Sequence, residues 1–143
     1  MNKALKDKDR AIQKAENFIR DCQDTAPLEK ERDELREQLG EIVKVISDNA
    51  TAVYDRIQYK VENEELYKRH GELNSRYEAV LEELKQKKAD AMSGQEFLRY
   101  FREMTGPIKD FNELYWYKLL DKIVVDKGKK LTVIFTGGYS VRT

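Results

Sequence analysis

Two stretches between residues 28 and 91 carry apolar side chains three and four residues apart, and this spacing constrains the chain more than any other feature. The first seam runs Leu28, Leu35, Leu39, Ile42, Ile46 and Val53. The second runs Leu66, His70, Leu73, Tyr77, Val80 and Leu84. Such steps keep one stripe of a helix turned toward a partner helix. Between the seams, Glu62-Asn63-Glu64-Glu65 is a polar break where the chain is expected to turn back. The expectation is an antiparallel coiled-coil hairpin with arms from Leu28 to about Val61 and from Glu64 to about Ala91. At 1.5 Å per residue each arm would span roughly 40 to 50 Å. Along the first arm Asn49 takes a core position, where a polar side chain costs stability and fixes register. Ile57 and Val61 then follow Val53 at steps of four, a shift of phase that locally unwinds a coiled coil.

Composition agrees with exposed helices. Charged residues make up 38% and hydrophobic ones 40% of 143 residues, and the mean hydropathy is −0.80. A two-helix rod buries a narrow stripe and solvates the rest, so it tolerates this balance better than a thick globular core does. The 27 basic and 27 acidic groups cancel, which removes a global positive charge as an argument for nucleic acid. Only residues 107 to 143 lean basic, with 7 Lys and Arg against 4 Asp and Glu. A single cysteine, Cys22, excludes an internal disulfide and a cysteine-based zinc site within the chain. No apolar run approaches the roughly 20 residues of a membrane span, and no signal sequence is evident, so a cytoplasmic location is expected.

The flanks of the hairpin read as a small α+β base. Residues 2 to 23 predict an amphipathic helix with Ala4, Leu5, Ile12, Ala15, Phe18, Ile19 and Cys22 near one face. Asp24 or Thr25 can cap the next helix, with Pro27 in its first turn. Ser93 and Glu96 have capping-box spacing, which predicts a new helix from Ser93 to about Met104, stopped by Thr105-Gly106-Pro107. Asp110 or Asn112 can cap a further helix from Glu113 to about Lys122. The period then changes to two. Ile123-Val124-Val125 and Leu131 to Phe135 predict strands around an Asp126 to Lys130 turn, and Gly137-Gly138 a second turn before Tyr139 to Val141. The predicted fold class is therefore mainly α with a small β element: an antiparallel coiled-coil hairpin projecting from a small α+β base. The expected division is 1–26 (base helix), 27–92 (hairpin arm) and 93–143 (two short helices plus a two- or three-stranded sheet).

Residues able to do chemistry are scarce. The single histidine and single cysteine lie far apart in sequence, which leaves no nucleophile–base pair or His/Cys metal set. His70 reads as a packing residue of the seam and Cys22 as a buried structural thiol. Gly137-Gly138 lacks the context of a phosphate-binding loop. No catalytic, cofactor or metal residue is expected. Two surfaces stand out instead. Tyrosines and cations (Tyr54, Tyr59, Tyr67, Arg56, Lys60, Lys68, Arg69) cluster near the expected tip, a mixture enriched at protein contacts. Lys127, Lys129 and Lys130, with Arg142 nearby, are candidates for phosphate contact or for guarding a sheet edge.

Several runs then suggest a family. Asp48-Asn49-Ala50, Asn63-Glu64-Glu65-Leu66-Tyr67-Lys68-Arg69 leading to Leu73 and Arg76-Tyr77-Glu78, Phe111-Asn112-Glu113-Leu114-Tyr115-Trp116, and Leu120-Asp121-Lys122-Ile123-Val124-Val125 follow in order. Together they resemble the C-terminal region of large serine recombinases, the transposon and phage integrases of the resolvase/invertase superfamily. In that family a coiled-coil arm projects from a zinc-ribbon domain, and the chain returns through a helix and strands, here Leu119 to Phe135. The resemblance implies a non-catalytic C-terminal fragment. Its arm would contact other recombinase subunits during synapsis, and its base would help seat the DNA-binding zinc-ribbon domain. The catalytic serine domain, the recombinase domain and the zinc-binding cysteines are missing, so the chain alone should neither cleave DNA nor bind zinc. Ile57, Tyr59, Val61, Leu66 and Tyr67 are the expected tip contacts, and Lys127, Lys129 and Lys130 the candidates for DNA backbone. No membrane partner and no cofactor are expected, and self-association should be weak. A dimerising coiled-coil adaptor without a DNA role is the alternative, and a stand-alone regulator derived from a truncated recombinase is a third possibility.

Overall fold

The computed structural model describes residues 7–51, 56–104 and 113–142, with backbone alone at 51 and 56–58. Its elements are α1 (Lys8–Gln23), α2 (Ala26–Thr51), α3 (Arg56–Glu103), α4 (Glu113–Leu119), β1 (Leu120–Val125), β2 (Leu131–Phe135) and β3 (Ser140–Arg142). They form two compact units: a helical hairpin over Thr25–Lys85, and a discontinuous unit made of Met1–Asp24 with Gln86–Thr143.

In the hairpin unit, α2 opens at Thr25, whose carbonyl accepts the Glu29 N–H at 2.9 Å. Pro27 falls in the first turn, where no N–H is needed. Leu35 and Ile42 are buried, with Leu28, Leu39 and Ile46 half-buried. On α3 the seam positions Tyr59, Asn63, Leu66, His70, Leu73, Tyr77, Val80 and Leu84 are all buried or half-buried. Every step is three or four, so the heptad already runs through Asn63 and does not start at Leu66. The expected turn at Glu62-Asn63-Glu64-Glu65 is therefore corrected. Glutamate is a good helix former, Asn63 points into the seam, and α3 continues through all four residues. Residues 52–55, Val53 among them, lie outside the described residues.

In the discontinuous unit, α1 lays Ala11, Ala15 and Ile19 against Phe97, Leu98, Phe101 and Met104 of the α3 end. Leu119, Phe135, Tyr139 and Val141 close the core from the sheet side. Small side chains allow the close approach. A Cβ at Gly94 would lie 2.7 Å from Ile19 Cγ1. The two helices also cap each other. Lys8 Nζ donates to the Arg102 and Met104 carbonyls at 3.0 and 2.6 Å, satisfying the end of α3. Lys87 Nζ donates to the Asp21 and Asp24 carbonyls at 3.4 and 3.1 Å, doing the same for α1. The expected helix start at Ser93 is corrected, since α3 runs on to Glu103. Packing of Gly94, Phe97 and Leu98 overrides the local capping signal. The stop at 105–107 and the caps Asp110 and Asn112 lie outside the described residues.

The sheet is an antiparallel meander in the order β1-β2-β3. Its helix-to-strand switch comes earlier than expected. Helix α4 ends at Leu119, and pairing of Leu120 with Phe135 pulls Leu120, Asp121 and Lys122 into β1, with a register shift between Leu120 and Lys122. Both turns share one construction. The Lys129 N–H donates to the Asp126 carbonyl and the Gly138 N–H to that of Phe135, each at 2.9 Å. The third loop residue then takes positive φ, 57° at Lys129 and 76° at Gly138, as three-residue hairpin loops require. Glycine suits that seat in the second turn, whereas in the first the lysine occupies it, one residue after Gly128.

Two glycines of α3 give opposite predictions. A Cβ at Gly71 meets nothing within 4 Å, so Gly71→Ala should stabilise the hairpin by about 0.5 to 1 kcal/mol through helix propensity. Gly94→Ala should destabilise by about 1 to 3 kcal/mol, because the methyl overpacks against Ile19. Urea denaturation of the two variants checks both signs.

Candidate contact surfaces

The hairpin's register fixes which side chains share a layer. Arg36 Nη2 donates to the Tyr77 hydroxyl at 3.4 Å, which sets Leu35 level with Tyr77. Heptad steps along both helices from that contact would bring Leu39 near Leu73, Ile42 near His70, Ile46 near Leu66 and Asn49 near Asn63. Asn63 is 4% exposed, and neither its Oδ1 nor its Nδ2 has a hydrogen-bond partner. Sequence reasoning assigned this residue to a turn and missed it. The regular spacing from Asn63 to Leu84 was the signal that could have found it.

The two flanks of the seam differ. One carries a forked ion pair, in which Arg76 Nε and Nη2 donate to both carboxylate oxygens of Glu31, the latter at 2.9 Å. Arg76 Nη1 also donates to Glu83 at 3.1 Å. Arg76 immediately precedes Tyr77 of the seam, and its ion pair places Glu31 on the same flank. Val43 and Tyr67 each immediately follow a core position and share the other flank. They are 53% and 59% exposed, so an apolar and an aromatic side chain face water on that flank. Val43 had no place among the expected contacts, because the flank it shares with α3 follows only from the register.

The four expected tip residues whose side chains are described do not share one face of α3. Tyr59 and Leu66 are half-buried on the seam side of α3. Val61 is 63% exposed and points away from the seam, while Tyr67 is on the same flank as Val43. The Ile57 side chain and Tyr54 lie outside the described residues. His70 is half-buried in the layer of Ile42. In the other unit Cys22 is buried, and burial together with the Asp90 carboxylate pushes its thiol pKa up, away from thiolate chemistry. Lys127, Lys129 and Lys130 are exposed around the first sheet turn, beside an Arg142–Asp126 ion pair of 2.6 Å.

The hydrogen bond from Arg76 holds the Glu31 carboxyl below the usual carboxylate range, and that from Arg32 does the same for Asp33. A depressed acid stabilises the fold above its unfolded pKa, and the contribution is lost as pH falls through the folded value. The difference in melting temperature between the parent chain and Arg76→Gln should therefore be constant at about pH 6 to 8 and close as pH falls below about 4. A gap that persisted undiminished at about pH 2 would remove Glu31 ionisation as its source.

Among the described residues, no group of three His, Cys, Asp or Glu side chains is placed to hold a metal ion. No helix among them is long and apolar enough to cross a membrane. No protein-family model matches the chain, and neither a curated protein nor a solved structure matches it.

Proposed function

We propose that this chain is a non-catalytic C-terminal part of a serine site-specific recombinase, whose hairpin contacts other recombinase subunits in synapsis and supports DNA binding by the parent protein. The observation that carries the reading is the exposure of Val43 and Tyr67. They put an apolar and an aromatic side chain on one flank of a hairpin whose other flank is occupied by its own forked ion pair. Interface anchors are drawn from such aromatic positions. The order of elements adds support: a heptad hairpin, then a short helix running directly into a strand, in the order of the recombinase-like motifs. Lys127, Lys129 and Lys130 are the secondary candidates, for phosphate.

The test uses the full recombinase whose reading frame would contain this chain. Val43→Ser with Tyr67→Ala should lower synapsis about tenfold or more and leave binding to a single DNA site unchanged. Equal loss of both activities would count against the reading. The adaptor alternative draws on Val45, 44% exposed on the opposite flank, which gives the hairpin apolar residues on both sides of its seam. Sedimentation showing a tight dimer abolished by the same double substitution would favour that alternative.

A further inference from the structure

The first strand of the sheet carries three consecutive apolar residues at an edge of the sheet. Among the described residues the strand order gives β1 one hydrogen-bonded neighbour, β2. Ile123, Val124 and Val125 are 44%, 40% and 67% exposed. Successive side chains of a strand point to opposite faces, so this run is apolar on both sides of the sheet. That pattern belongs to strands covered on both faces, not to a solvated edge. Natural edges are blunted by prolines, charges or bulges. Here Lys122 and the register shift beside Asp121 blunt only the far end of β1, leaving the Ile-Val-Val end open.

The ladder shows which backbone groups are free. The Asp126 N–H donates to the Lys130 carbonyl at 3.0 Å, which makes that pair a hydrogen-bonded one. Antiparallel pairs alternate, so Val124–Thr132 and Lys122–Ile134 bond across to β2. The N–H and C=O groups of Ile123 and Val125 therefore point outward from the sheet. Their spacing of two residues is the repeat with which another antiparallel strand would bond. A helix or a nucleic-acid duplex offers no matching ladder of donors and acceptors.

We propose that β1 is a docking edge for an extended strand from another polypeptide, apolar along its length and acidic at the end that meets the Asp126–Lys130 turn. Charge selects this occupant. Lys127, Lys129 and Lys130 are exposed at the turn that closes this end of β1. A second copy of β1 is a poor match. Paired parallel, it brings its own lysine turn to the same place, and paired antiparallel it brings Asp121 and Lys122, whose charges cancel and leave no acidic excess. This inference does not need the recombinase reading, and it gives Lys127, Lys129 and Lys130 an acidic partner strand in place of the phosphate role proposed above.

The edge geometry supplies a selective variant. Proline at 123 or 125 removes an outward donor without breaking the β1–β2 ladder, whereas proline at 124 breaks that ladder. The experiment is amide exchange by NMR on the full chain, with three synthetic probes: a Val/Thr-alternating peptide ending in glutamates, the same peptide ending in lysines, and the glutamate peptide with alternate residues replaced by proline. The glutamate peptide should slow exchange at Ile123 and Val125, bind about tenfold more tightly than the lysine peptide, and lose binding to Val125→Pro. The proline-containing peptide should not bind. Reversing Lys127, Lys129 and Lys130 to glutamate should invert the preference between the first two peptides, a readout that needs no change in the strand. Three results overturn the proposal: no protection with any peptide, protection of both amides that rises with chain concentration alone (a second copy), or protection confined to the lysine turn on adding a DNA duplex.

Discussion

Phe97→Ala should cost the discontinuous unit about 3 to 5 kcal/mol, a large part of the roughly 5 to 15 kcal/mol available to a typical domain. Phe97 is fully buried, 5.1 Å from the Phe101 ring and 5.8 Å from that of Phe135, so it joins helix to sheet. A Cβ at Gly137 would lie 2.8 Å from its Cγ, which shows how tightly the second sheet turn is closed over the ring. Truncation leaves a cavity that the stacked Phe101 and the turn backbone can fill only in part. Urea unfolding followed by fluorescence of Trp116, which is in the same unit, should show the midpoint falling sharply. A change below about 1 kcal/mol would mean that the site collapses around the missing ring.

The second large effect has the opposite sign. Asn63→Leu should raise the stability of the hairpin by about 1 to 3 kcal/mol, because it removes two buried polar atoms that have no partner. A cost should appear in specificity. One buried polar layer penalises shifted registers, and a continuous apolar seam accepts them and accepts a second chain as well. Sedimentation at several concentrations should therefore show more self-association in the variant. If Asn63→Leu instead destabilised the chain, Asn63 would be making a hydrogen bond in solution, with Asn49 across the layer as the nearest candidate.

The architecture was legible where the pattern was long. The heptads of both arms, the helix containing Ile19 and Cys22, and the strands Ile123 to Val125 and Leu131 to Phe135 all follow from periodicity, and all are present. The errors came where a short signal was trusted over a long one. Glu62 to Glu65 read as a turn on polarity alone, and Ser93–Glu96 as a cap on spacing alone, although seam positions continue through both. The candidate contacts were less legible. Tyr67 was named for its chemistry, but the flank it shares with Val43 depends on the register between helices. That register rests on a contact, Arg36 with Tyr77, that no single-helix pattern contains. The edge of β1 was hidden for a related reason. A run of β-branched residues announces a strand without saying which of its sides is left unpaired.

The unit formed by Met1–Asp24 and Gln86–Thr143 is interrupted by the whole hairpin, and this bears on the order of folding. Joining α1 to the end of α3 would close a very long loop if the intervening chain were unstructured, at an entropic cost that grows with the logarithm of its length. Helix formation and local pairing take microseconds or less. A hairpin formed first shortens that closure to the few residues around Asp24 and Lys87, whose hydrogen bond ties the two segments together. Contacts remote in sequence thus become near in effect. The chain should fold faster than its contact order suggests, with a rate more sensitive to hairpin substitutions such as Leu35→Ala than to Phe135→Ala in the sheet.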